Sequence, residues 1–122
     1  MTTKPLISFV IPVFNEEESV EAACLALRRI MKTVESRYDH EFVFTDNHSS
    51  DRTFDILTSL AADDSRIRVF RFSRNFGYQR SIKTGLLKAR GDMAVQIDCD
   101  LQDPPEMVVD FLRHWEEGYR VV

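Results

Sequence analysis

The sequence predicts an α/β domain built on a doubly wound, mainly parallel sheet with helices on both faces. Three observations predict it. Short, nearly continuous apolar runs alternate with segments of helical period. The connections between them are short, as in compact α/β units. Clusters of Asp, Asn, Glu and His follow the first, second and fourth apolar runs, at the strand ends where open parallel sheets bind their ligands.

The first strand is expected over residues 6–13, where Leu6, Ile7, Phe9, Val10, Ile11 and Val13 leave almost no polar face, the mark of a strand covered on both sides. A helix over about residues 17–36 follows, with Val20, Ala23, Cys24, Leu27, Ile30, Met31 and Val34 on one face. Glu16, Glu17 and Glu18 crowd its expected first turn, where the helix dipole favours negative charge. Residues 41–45 read as the second strand, ending at Asp46, Asn47 and His48. Ser49, Ser50 or Asp51 then caps a helix that buries Phe54, Leu57, Leu60 and Ala61. Residues 67–72 alternate with period two as a third strand. Beyond the loop Ser73-Arg74-Asn75-Phe76-Gly77, a helix over residues 78–89 is expected to bury Ile82, Leu86 and Leu87. Residues 93–97 form the fourth strand. A fourth helix runs from about Pro105 to Glu117 and stops at Gly118. Arg120, Val121 and Val122 read as the opening of a fifth strand.

At 122 residues and 43% hydrophobic, the chain is one domain, 1–122, or part of one. A net charge of -4 argues against a general nucleic-acid surface, which needs clustered cations to neutralise phosphates. The Arg and Lys between Arg66 and Arg90 read as a solvated strand edge and helix face. Cys24 and Cys99 have no partner at metal-ligand spacing and suit a reducing compartment. No stretch approaches the apolar length needed to span a bilayer, and no signal peptide opens the sequence, so the segment is expected to be soluble and to face the cytosol.

Chemistry concentrates in residues 98–106, Asp-Cys-Asp-Leu-Gln-Asp-Pro-Pro-Glu. Two carboxylates one residue apart, at the mouth of an apolar strand, suit Mg²⁺ or Mn²⁺, hard cations that share carboxylates with substrate phosphates. Asp and Pro are also ordinary loop residues, so the triplet alone is weak and its context carries the reading. Cys99 is a small spacer between the two acids.

Four segments in order resemble the nucleotide-diphosphosugar transferases of glycosyltransferase family 2, which have the GT-A fold, and within it the branch that loads sugars onto polyprenyl phosphates. They are residues 10–17, Val-Ile-Pro-Val-Phe-Asn-Glu-Glu; residues 44–51, Phe-Thr-Asp-Asn-His-Ser-Ser-Asp; residues 73–77; and residues 98–106. The resemblance implies donor binding by Pro12, Phe14 and Glu16, with Phe14 standing where Tyr is more usual. Asp46 then hydrogen-bonds the base, and the Asp98-Cys99-Asp100 triplet holds the diphosphate. Asp98, Asp100 and Gln102 are implied around the Mg²⁺ or Mn²⁺, with Asp100 as the catalytic residue. His48 departs from the family pattern, which leaves base and sugar preference open.

What the resemblance implies is a metal-dependent, inverting transfer of a hexose from a UDP- or GDP-sugar to a polyprenyl phosphate at the cytosolic membrane face. The acceptor-side residues and membrane anchors are expected outside this chain, which reads as the donor-binding part of a larger enzyme. An unfinished sheet edge would favour self-association. A nucleotide-sugar-binding module without turnover, and a transferase acting on a soluble glycan, are the alternatives.

Overall fold

Each apolar run of strand length becomes a strand, and each segment of helical period a helix. The computed structural model describes residues 3–102 and 104–118. In chain order the elements are β1 (Leu6–Val13), α1 (Val20–Thr33), β2 (Asp39–Asp46), α2 (Thr53–Asp63), β3 (Ile67–Arg71), α3 (Tyr78–Lys88), β4 (Met93–Gln96) and α4 (Met107–Glu116). The fifth strand expected at Arg120 lies outside the described residues. Glu16, Glu17 and Glu18 stay in the loop ahead of α1, because a turn in which Ser19 and Val20 donate to the Glu16 carbonyl at 2.9 and 3.0 Å intervenes. Similarly, Pro104 and Pro105 sit in a turn that precedes α4.

The four strands are parallel and ordered β3-β2-β1-β4. The chain winds outward from β1 through β2 to β3, then crosses back to place β4 on the other side of β1. Such a reversal separates the loops that follow two neighbouring strands, so a crevice opens beyond their carboxyl ends. Here those strands are β1 and β4. Their register sharpens the effect: Gln96, the last residue of β4, pairs with Val10, while β1 continues to Val13. The chain leaving β4 therefore runs beside the last residues of β1.

Period two along β1 and β2 sorts side chains between two unlike faces. Ile7, Phe9, Ile11, Val13, Phe42 and Phe44 join the main core with Cys24, Leu27 and Met31 of α1, Leu57 of α2, and Val108 and Leu112 of α4. The other face carries Ser8, Val10, Val43 and Thr45, and α3 lies over it. In α3 the fully buried residues are Ser81 and Gly85, whereas Leu86 and Leu87 are 47% and 75% exposed and Ile82 is half-buried. This corrects the expectation that Ile82, Leu86 and Leu87 form the buried stripe. The helix seats itself by small residues: Thr45 and Ser81 hydroxyls meet at 2.8 Å, and Thr45 Oγ1 donates to the Ser81 carbonyl at 3.1 Å.

That close approach is tested at Gly85, where an added Cβ would lie 2.4 Å from Val10 Cγ1. Alanine gains about 1 kcal/mol in helix propensity over glycine, but overpacking against a stiff, fully buried valine costs about 1–3 kcal/mol. We expect Gly85→Ala to lower stability in urea unfolding by about 1 kcal/mol net. In a Val10→Ala background the same change should become neutral or stabilising.

Candidate functional site

Four loops follow the four strands, and their own side chains tie three of them together. Asn15 adopts a left-handed backbone, φ 52°, at the end of β1. Its N–H donates to Ser49 Oγ at 2.9 Å, and its Oδ1 accepts the Ser50 N–H at 2.8 Å. Glu16 N–H donates to Thr53 Oγ1 at 2.8 Å, while Asp51 Oδ1 accepts both the N–H and the hydroxyl of Thr53. The N-cap of α2 is Arg52, without a side-chain cap, which corrects the expectation that Ser49, Ser50 or Asp51 caps the helix; Asp51, one residue earlier, instead holds the first helical residue, Thr53. Asn47 joins the third loop: its N–H donates to Val13 O at 3.0 Å and its Oδ1 accepts the Phe76 N–H at 2.8 Å.

Between the β1 and β4 loops lies a crevice of about 340 Å³. It brings Pro12, Phe14, Glu16, Asp98, Cys99 and Asp100 together, all expected from the sequence. It also includes Asn47, Asn75 and Tyr78, which the sequence reading did not single out as site residues. Asn47 and Asn75 lie within two of the four segments that carry the resemblance but receive no role from it, and Tyr78 follows directly after one of them. Phe14 is 45% exposed, so its ring is a free apolar wall.

The acidic triplet turns just beyond β4, the Leu101 N–H donating to the Asp98 carbonyl at 3.1 Å. Asp98 and Asp100 are exposed, and Cys99 between them is buried in the core. Burial, with Glu16 and Asp100 nearby, pushes the Cys99 thiol up to about 12, so it stays protonated and inert at neutral pH. Oδ1 of Asp98 accepts the Tyr78 hydroxyl and also Gln96 Nε2 at 3.0 Å. Oδ1 of Asp100 accepts the Gln102 N–H at 3.3 Å. Glu16 faces both acids: burial first, then Asp100, Asp98 and Asp51, lift its carboxyl above the ordinary value.

Two expected residues lie outside the crevice lining. Gln102 is exposed and touches the site through its backbone. Asp46 is fully buried beneath the β2 loop, where Oδ1 accepts the Ser49 N–H at 3.0 Å and the Ser49 hydroxyl at 2.6 Å. Its Oδ2 has no hydrogen-bond partner among the described residues, with Arg71 Nε 3.5 Å away.

The donor set fits a hard cation in one specific way. Asp98 and Asp100 offer exposed carboxylate oxygens, but among the described residues no three His, Cys, Asp or Glu converge into a cage. An ion here would draw its remaining oxygen ligands from phosphates and water, as Mg²⁺ and Mn²⁺ do beside nucleotides.

Comparison with known proteins identifies the family and the fold. The model of the glycosyl transferase family 2 matches residues 8–122. The chain is 40% identical over 115 residues to an uncharacterized glycosyltransferase, YkcC, of Bacillus subtilis, covering 94% of this chain and 35% of that protein. It is 37% identical over 116 residues to the bactoprenol glucosyl transferase of Shigella phage SfV, covering 95% of this chain and 37% of the relative. The chain thus spans about a third of the length of these relatives. Among solved structures, a mannosyltransferase from Pyrobaculum calidifontis in complex with GDP-Man and Mn²⁺ superposes with a TM-score of 0.74 at 20% identity, over 93% of this chain and 33% of that one. Staphylococcus aureus TarS 1-349 gives 0.70 at 23% identity, over 94% and 33%. The fold is therefore the GT-A fold of these glycosyltransferases.

The repulsion at Glu16 has a measurable sign. A carboxyl raised in the folded state weakens the fold when ionised, so the penalty is complete above the raised value and absent below the ordinary 4.5. Glu16→Gln is expected to raise the melting temperature by about 1–3 °C at pH 7. The gain should vanish as the pH falls below 4.5, as thermal melts across that range will reveal.

Proposed function

The chain belongs to glycosyl transferase family 2, and we propose that it is the donor-binding part of a metal-dependent enzyme that moves a hexose from a nucleoside diphosphate sugar to a polyprenyl phosphate. One observation carries this reading: the crevice at the β1–β4 reversal collects Asp98, Asp100 and Glu16 together with the exposed Phe14 ring. The relatives named bactoprenol glucosyl transferase support a polyprenyl acceptor. The neighbours solved with GDP-Man and Mn²⁺, and with UDP-GlcNAc, support a GDP- or UDP-sugar donor.

In this proposal Phe14 stacks on the base, Pro12 shapes the wall beside it, and Glu16 accepts hydrogen bonds from ribose hydroxyls. Asp46 Oδ2, ion-paired with Arg71 but without a hydrogen bond among the described residues, is a buried acceptor that an N–H of the base would satisfy once the Ser49 segment yields. Asp98 and Asp100 would hold Mg²⁺ or Mn²⁺, joined by Gln102, with Asp100 as the catalytic residue through that ion. The bound ion supplies Lewis-acid stabilisation of charge on the departing nucleotide.

Transfer proceeds with inversion at the anomeric carbon. A polyprenyl phosphate is already anionic at neutral pH, so its oxygen attacks with little help from a base, and positioning and charge stabilisation dominate. A double displacement would need a nucleophile from the protein. In this proposal the crevice carboxylates are committed elsewhere, Asp98 and Asp100 to the cation and Glu16 to the ribose, and the Cys99 thiol is kept protonated by burial and neighbouring acids. No helix among the described residues is long and apolar enough to cross a membrane. In this reading, contact with the cytoplasmic membrane face and with the acceptor comes from parts of the enzyme outside this chain.

Calorimetric titration of UDP- and GDP-sugars into the chain, with and without Mn²⁺, tests the reading. The wild type should bind one donor class more tightly with Mn²⁺, and Asp100→Ala should erase that gain, a loss of about tenfold or more, or roughly 1.4 kcal/mol. Metal-linked affinity unchanged in Asp100→Ala would refute the assignment.

A further inference from the structure

The acid that opens the Asp98-Cys99-Asp100 triplet is held by partners that the proposed function does not use. Tyr78 is the first residue of α3, and its hydroxyl donates to Asp98 Oδ1. Gln96, the last residue of β4, donates Nε2 to the same oxygen at 3.0 Å and lies 3.3 Å from the Tyr78 hydroxyl. Both donors thus converge on one of the two carboxylate oxygens. Among the described residues Oδ2 of Asp98 receives no hydrogen bond, although the side chain lines the crevice. A carboxylate on an exposed loop would otherwise rotate about its side-chain torsions and offer either oxygen.

Tyr78 is itself well anchored at its backbone. Gly77, with φ 93°, turns the chain into α3, its N–H bonded to Asn75 Oδ1 at 2.8 Å, and the preceding Phe76 N–H is held by Asn47. The ring is nevertheless 51% exposed, so it is not placed there to fill the core. A polar residue at the end of an otherwise apolar strand and a tyrosine at the start of a helix on the opposite side of the crevice meet at one carboxylate. That convergence gives them a shared task.

We propose that Tyr78, assisted by Gln96, is a positioning residue for the metal-binding acid, occupying Oδ1 of Asp98 so that Oδ2 is presented to the cation. This inference rests on the reading of Asp98 as a metal ligand, and it adds the residues that orient that ligand. Partners of this kind fix a ligand's rotamer and typically contribute about 10–100-fold to metal affinity.

The test titrates Mn²⁺ into the chain in the presence of UDP or GDP and counts free Mn²⁺ by its electron paramagnetic resonance signal. Tyr78→Phe, which keeps the ring and loses the donor, should bind Mn²⁺ about tenfold more weakly with an unchanged melting temperature. Gln96→Leu should weaken binding by a smaller factor. The double variant should lose less than the product of the two, because both donors serve one oxygen. Tyr38→Phe, whose hydroxyl serves Glu116, is the control and should bind as the wild type does. A near-ultraviolet tyrosine difference signal should accompany Mn²⁺ binding in the wild type and be absent in Tyr78→Phe. Wild-type binding with undiminished affinity in both Tyr78→Phe and Gln96→Leu would overturn the positioning role while leaving Asp98 as a ligand. If the wild type fails to bind Mn²⁺ beside either nucleotide, the metal reading itself falls, and this inference with it.

Discussion

Parallel pairing on both sides of β1 is the constraint from which the site follows. With β2 on one flank and β4 on the other, β1 is wholly enclosed, and its side chains must satisfy helices on both faces at once. The same arrangement makes the connections leave β1 and β4 in opposite directions, which opens the crevice at their carboxyl ends. Because β4 stops opposite Val10 while β1 runs on to Val13, the acidic run passes Pro12 and Phe14 instead of projecting into solvent. Lengthening β4 by pairing alone would draw Asp98 into the ladder and close the site.

The two ends of the sheet treat charge oppositely. At the amino ends, Glu41 is buried, yet its carboxylate accepts the Ser8 hydroxyl at 2.6 Å, the Arg90 N–H at 2.7 Å and Arg68 Nη1 at 2.9 Å. Burial alone would raise that carboxyl, but these donors outweigh it and hold it below the ordinary value. Ser8 in turn accepts the Gly91 N–H at 2.8 Å, fastening the turn before β4 to β1. Neutralised charge there secures the fold. At the carboxyl ends Glu16, Asp98 and Asp100 share a crevice that, among the described residues, has no cationic side chain in its lining.

Much of this was legible in the sequence because local pattern and local chemistry agreed. The strand runs, the helical stripe of α1 and the polar clusters at the strand ends each depend on residues close together in the chain, and the structure assembles them as expected. The face under α3 was misread for a physical reason. A hydrophobic count marks Ile82, Leu86 and Leu87, but the helix lies so close to β1 that only Ser81 and Gly85 fit, and the leucines turn outward. Smallness as a packing device leaves no hydrophobic signal. Asn47, Tyr78 and Gln96 were passed over because their roles are relational: each acts on a residue from another loop, and only the topology reveals the partner.

Under the proposed function, the sparse donor set and the unbalanced acids are two sides of one electrostatic argument. An anionic diphosphate entering alone would meet Glu16, Asp98 and Asp100, like charges that add to burial in lifting the Glu16 carboxyl. A divalent cation entering alone would find carboxylates but too few ligands to displace its tightly held water. Together they complement each other: the ion reverses the sign of the field that the phosphates encounter, and the phosphates supply the oxygens that the protein lacks. Under the proposed function, affinity for each should therefore depend on the other, a coupling that linkage makes reciprocal. A closed three-carboxylate cage would bind metal more independently of nucleotide and forfeit that coupling, so the sparseness of the donor set is itself suited to a site for a metal-bound diphosphate.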